Sequence, residues 1–111
     1  TAHNKEGLKI VLNQVLKEEF QLLHFVLGFV NDKDLKEILP LFPQNAKYYF
    51  CKPNIPRGLD AEILFNEAKA FGLTGNIYSS ISEAYQSALK NAGNDDFIYI
   101  GGSTFVVAEI L

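Results

Sequence analysis

Residues 22–28 read Leu22-Leu23-His24-Phe25-Val26-Leu27-Gly28, an apolar run interrupted only by a histidine and closed by glycine. A strand with one wet face alternates apolar and polar residues. A strand covered on both faces has no reason to alternate, and its sequence becomes almost continuously apolar. The run is short for a helix and well sized for a strand. It predicts a buried strand with helices packed on both sides.

The chain on either side supports this reading. Upstream, Leu8, Val11, Leu12, Val15 and Leu16 fall on one face of a helix over residues 5–19. Downstream, Asp32 is placed to cap a second helix carrying Leu35, Ile38 and Leu39, which Pro40 and Pro43 help to end. Residues 46–51 form an aromatic-rich second strand. Asp60 precedes Ala61, Leu64, Phe65, Ala68 and Phe71 at helical spacing, with Gly72 as the stop. Residues 76–78 fit a third strand. Ser80-Ile81-Ser82-Glu83 is a capping box for a helix expected to bury Ala84, Tyr85, Ala88 and Leu89 and to end near Gly93. Residues 97–101 are the fourth strand, and a last helix is expected from Ser103.

Helices alternating with strands predict an α/β fold: a three-layer, Rossmann-like domain with a mostly parallel four-stranded sheet in the order 3-2-1-4. With 111 residues, 48% of them apolar, the chain supplies one domain and one core. The formal charge is −3 and the basic residues are scattered, so no cationic stripe for nucleic acid is present. The longest apolar runs are too short to span a bilayer. A single cysteine, Cys51, excludes an internal disulfide and fits a reducing compartment such as the cytoplasm. The chain has no methionine, and it stops at Glu109-Ile110-Leu111 inside an apolar helical pattern. It is therefore expected to be part of a larger protein, truncated on its N-terminal side.

Doubly wound sheets bind ligands beyond the carboxyl ends of their strands, where the winding reverses. Here that point lies between the first and fourth strands and gathers residues 1–4, 31–34, 52–57 and 101–104. Gly101-Gly102-Ser103 joins a strand to a helix, so the backbone can approach a ligand and the helix start offers free N–H groups. Lys33, within Asp32-Lys33-Asp34, is a candidate anion ligand, and His3 lies at the same edge. His24 reads instead as a core histidine with its hydrogen bonds made. Neither GxGxxG nor GxxxxGK[ST] occurs. Cys51 to Arg57 has the Cys-x5-Arg spacing of a cysteine phosphatase loop. Pro53 and Pro56 each remove an N–H that such a loop needs, so the segment reads as a stiffened connection.

Thr1-Ala2-His3-Asn4, Gly28 through Asp32-Lys33-Asp34, Pro56-Arg57 and the Gly-Gly-Ser turn occur in an order and spacing that resembles the C-terminal domain of folylpolyglutamate synthase/dihydrofolate synthase, within the Mur ligase superfamily. The resemblance covers nearly the whole chain. It implies an ATP-dependent amide ligase that activates a folate or dihydropteroate carboxylate as an acyl phosphate and joins L-glutamate to it. It also implies that the phosphate loop and the Mg2+ ligands lie in a preceding central domain, so no catalytic group and no metal ligand is expected in this chain. On this resemblance His3 and Asn4 lie on the nucleotide side, and Lys33, Ser103 and Arg57 on the glutamate side. Thr1 stands where the family usually has Gly, and Gly101-Gly102 where Thr-Gly is common. In the family a further strand pairs beside the last one, so residues 97–100 are expected here at an open sheet edge, exposed or covered by a second copy. The alternative is a doubly wound binding module without catalysis.

Overall fold

The computed structural model describes residues 9, 10, 12, 13, 22–31 and 34–102. Four strands form one parallel sheet: β1 (Leu23–Gly28), β2 (Ala46–Phe50), β3 (Gly75–Ile77) and β4 (Phe97–Gly102). Their spatial order is β3-β2-β1-β4, the 3-2-1-4 arrangement expected from the alternation of elements. Three helices join them: α1 (Leu35–Ile38), extended by a 3-10 turn at Leu39–Leu41, α2 (Ala61–Lys69) and α3 (Ile81–Asn91). Residues 9, 10, 12 and 13 are helical, as the upstream periodicity predicts. The rest of that helix and the one expected from Ser103 lie outside the described residues.

Every residue of β1 is buried, which accounts for its unalternating sequence. Leu23, Phe25 and Leu27 face a core shared with Leu12, Ile38, Leu39, Phe42, Leu64 and Ala68. Val26 faces the opposite core with Tyr49, Cys51, Ile81, Ala84 and Ala88. So α1 and α2 cover one face of the sheet and α3 the other. The winding reverses between β1 and β4.

The caps follow the sequence with local differences. Asp60 accepts from the Glu62 N–H at 3.1 Å, and Ser80 accepts from the Glu83 N–H at 3.1 Å. The Glu83 carboxylate, however, meets the N–H and hydroxyl of Ser79 rather than closing back on Ser80. At α1 the cap position is Asp34, not Asp32, and its side chain makes no capping bond. Leu35 is the first helical residue, so a cap at Asp32 would be two positions too early. On α3, Ile81 joins Ala84 and Ala88 in the core, while Tyr85 is half-buried and Leu89 is exposed. The buried stripe at 81, 84 and 88 lies one step around the helix from the expected one.

His24 is fully buried, and its neighbours explain how a strand core tolerates it. Its Nε2 lies 2.8 Å from Asp96 Oδ2, and its Nδ1 lies 2.8 Å from the Tyr49 hydroxyl. Asn91 Nδ2 approaches that hydroxyl at 3.5 Å. A carboxylate only accepts, so Nε2 carries a proton. A neutral ring then leaves Nδ1 to accept from Tyr49, whose oxygen receives Asn91. All these groups are partnered, and the chain of bonds ties β1, β2, α3 and the entrance to β4 together.

Among the described residues β4 pairs only with β1, and Phe97–Ile100 are half-buried, so the aromatic strand is the edge of the described sheet. No helix among the described residues is long and apolar enough to cross a membrane.

Candidate functional site

The carboxyl ends of the strands carry the loops of interest, and two of these loops are bound to each other. After β1 the chain continues through buried Phe29 and Val30 to exposed Asn31. The Leu59 N–H donates to the Phe29 carbonyl at 2.8 Å, and the Asn31 N–H donates to the Arg57 carbonyl at 2.8 Å. Val30 and Gly58 form an antiparallel bridge between these bonds. A short two-stranded clasp therefore rises from the parallel sheet. It holds the Arg57 backbone against Asn31, the last described residue before Asp34.

The clasp depends on how the 51–58 loop folds. Ile55 N–H donates to the Pro53 carbonyl and Gly58 N–H to the Ile55 carbonyl, at 2.8 and 3.0 Å. A side chain at Gly58 would put its Cβ 2.4 Å from the Pro53 carbonyl oxygen, so glycine is required there for space. Pro53 is buried and the Arg57 side chain is exposed. Cys51 is buried, with its thiol donating to the Leu27 carbonyl at 3.3 Å. The Ile55 N–H is engaged within the loop and Pro53 and Pro56 carry none, which leaves few donors for the arrangement that a cysteine phosphatase requires.

At the same end of the sheet a cleft of about 380 Å³ lies between the loops that follow β2 and β3, lined by Lys52, Pro53, Asn54, Ile55, Ser79 and Ser80. At the reversal of winding, β1 and β4 end together, with Leu27 beside Gly101 and Gly28 beside Gly102. Of the predicted site residues, Arg57 is placed at this edge. His3, Asn4, Lys33 and Ser103 lie outside the described residues. Sequence reasoning did not find the Asn31–Arg57 join, since nothing in either segment marks them as strands; the one available signal was Gly58, directly after Pro56-Arg57.

Over residues 1–104 the sequence matches the family described as Mur ligase, glutamate ligase domain. The chain belongs to that family. A relative from Haloferax volcanii, named probable bifunctional folylpolyglutamate synthase/dihydropteroate synthase, is 32% identical to this glutamate ligase domain over 109 residues, 97% of the chain and 13% of the relative. Among solved structures, E. coli FolC in complex with DHPP and ADP superposes with a TM-score of 0.87 at 23% identity, over 99% of this chain and 26% of that one. A bifunctional folylpolyglutamate synthase/dihydrofolate synthase with Mn, AMPPNP and L-glutamate bound gives 0.81 at 23% identity, with the same coverage of 99% and 26%. These two likenesses show that the glutamate ligase domain has their fold. The chain spans about an eighth of the curated relative and about a quarter of each solved structure.

Proposed function

We propose that this chain is the C-terminal, glutamate-binding domain of a cytoplasmic ATP-dependent folylpolyglutamate/dihydrofolate synthase, and that it closes over a nucleotide held by a central ATPase domain. The observation that carries the reading is family membership over residues 1–104, together with relatives whose names share folylpolyglutamate synthase, one of them also named dihydrofolate synthase. In the reaction, a carboxylate oxygen of a folate or dihydropteroate attacks the γ-phosphorus of ATP, giving an acyl phosphate and ADP. The amino nitrogen of L-glutamate then attacks the acyl carbon, loses a proton and expels phosphate. Mg2+ would neutralise charge on the transferring phosphoryl group.

The roles assigned to this chain rest on the family resemblance and suit the charge of the substrate. Glutamate brings two carboxylates, which need fixed positive groups and N–H donors. Arg57 has a planar fork suited to a carboxylate, and Lys33 contributes a compact positive charge. Ser103 opens the expected helix after β4, where free N–H groups favour an anion. His3 and Asn4 are assigned to the nucleotide side.

In the full-length enzyme, Lys33→Ala and Ser103→Ala are expected to raise KM for glutamate by about tenfold or more, the scale of a lost hydrogen bond to a charged group. KM for ATP should stay within about twofold. Wild-type glutamate constants in both variants would remove these residues from the site. The 111-residue chain alone is expected to show no ATP turnover, since its sequence contains no phosphate-loop motif. ATP hydrolysis by a clean preparation would contradict the division of labour between the domains.

Among the described residues β4 is paired on one side only. An apolar strand with unpaired N–H and C=O groups is a template for pairing, so this chain is expected to self-associate through Phe97–Ile100. Light scattering behind size exclusion should show mass rising with concentration, and Ile98→Lys should abolish the rise. A strictly monomeric chain at millimolar concentration would refute the expectation.

A further inference from the structure

The carboxyl ends of β1 and β4 offer few polar side chains. Their last register pairs are Leu27 with Gly101 and Gly28 with Gly102, and Leu27 is fully buried, so a ligand at the reversal of winding meets mainly backbone. One hydroxyl reaches this level from within the strand. Tyr99 stands two residues before Gly101, on the same face of β4. Its ring leans along the strand: a Cβ placed on Gly101 would lie 2.6 Å from Cε1, 2.8 Å from Cζ and 2.7 Å from the hydroxyl oxygen of Tyr99. The space that a side chain at 101 would fill is thus taken by the phenol.

The rest of the ring is anchored, with its centroid 5.5 Å from that of Phe25. The hydroxyl has no hydrogen-bond partner among the described residues, and none of their partnerless side-chain oxygens is sealed from solvent. Burial of the ring raises the phenol's pKa, so the group remains a protonated donor at neutral pH. A rigid phenol with an available O–H matches a carboxylate, because O–H···O⁻ bonds are short and stronger than neutral ones.

Resting on the glutamate-ligase reading above, we propose that the Tyr99 hydroxyl donates a hydrogen bond to a carboxylate oxygen of the amino-acid substrate, and that Gly101 serves this role by leaving room for the phenol. The test is Tyr99→Phe in the full-length enzyme, with steady-state kinetics for L-glutamate and for ATP and a thermal midpoint for each protein. The expected result is an approximately tenfold rise in KM for glutamate. KM for ATP and the thermal midpoint should not change, because the ring is kept. An unchanged glutamate KM overturns the proposal. A rise in both constants together with a midpoint lowered by several degrees also overturns it, since that is the mark of a packing role. If the wild-type enzyme releases no ADP in a glutamate-dependent way, the ligase reading itself fails, whatever Tyr99→Phe does.

Discussion

Phe25→Ala is expected to destabilise the domain by about 3–5 kcal/mol, a large part of the about 5–15 kcal/mol that holds a typical domain folded. Phe25 is fully buried at the centre of the most buried strand. Its ring stacks on Tyr48 with centroids 5.1 Å apart and meets Phe42 edge-on at 5.4 Å and Tyr99 at 5.5 Å. Removing it leaves a cavity bordered by three aromatic rings, which cannot collapse without moving β2, β4 and the segment after the 3-10 turn together. Urea unfolding of this variant beside Ile77→Ala makes the comparison. Ile77 is 43% exposed, so its truncation should change stability by no more than about 0.5 kcal/mol. Equal losses for the two variants would show that the aromatic cluster is not the centre of the fold.

His24→Ala comes next in size, at about 2–4 kcal/mol. The substitution empties a fully buried site and leaves the Tyr49 hydroxyl with only the long contact to Asn91. The intact network also carries a pH dependence that can be separated by mutation. The Asp96 carboxyl is held below its ordinary pKa, first by the Gly93 N–H at 2.9 Å and next by His24. A carboxylate depressed in the folded state contributes stability above its unfolded pKa, and that contribution is lost as pH falls through the lower folded value. Stability should therefore decline on acidification below about pH 4, and Asp96→Asn should flatten that limb. His24→Ala should flatten it only partly, because the Gly93 donor remains. An unaltered acid limb in Asp96→Asn would exclude this carboxylate as its source.

The candidate site was less legible than the fold, and the clasp shows why. Asn31 and Arg57 are 26 positions apart in sequence. Neither segment has the alternation that marks a strand, because the antiparallel bridge is made by backbone groups that every residue carries. Within the two joined segments, Gly58 was a residue whose type betrayed a tight approach. The motif at residues 32–34 was legible through resemblance, yet the helix it introduces begins at Leu35 with Asp34 at its cap position. Backbone geometry chose between two aspartates that composition treats alike.

Sequence alone determined the alternation of helices and strands, the burial of β1 on both faces, the two side-chain caps at Asp60 and Ser80, and the sheet order. These depend on periodicity and local hydrogen bonding, which are properties of neighbouring residues. Tertiary structure alone decided which distant groups meet. It placed Asp96 and Tyr49 on the two nitrogens of His24, bound the Arg57 loop to Asn31, and leaned the Tyr99 phenol into the space beside Gly101. The physical reason is that a short polar contact is set by distances of a few ångströms between strands and loops far apart in the chain. A sequence pattern shows which face a residue takes, but only the packed sheet brings its partner within reach.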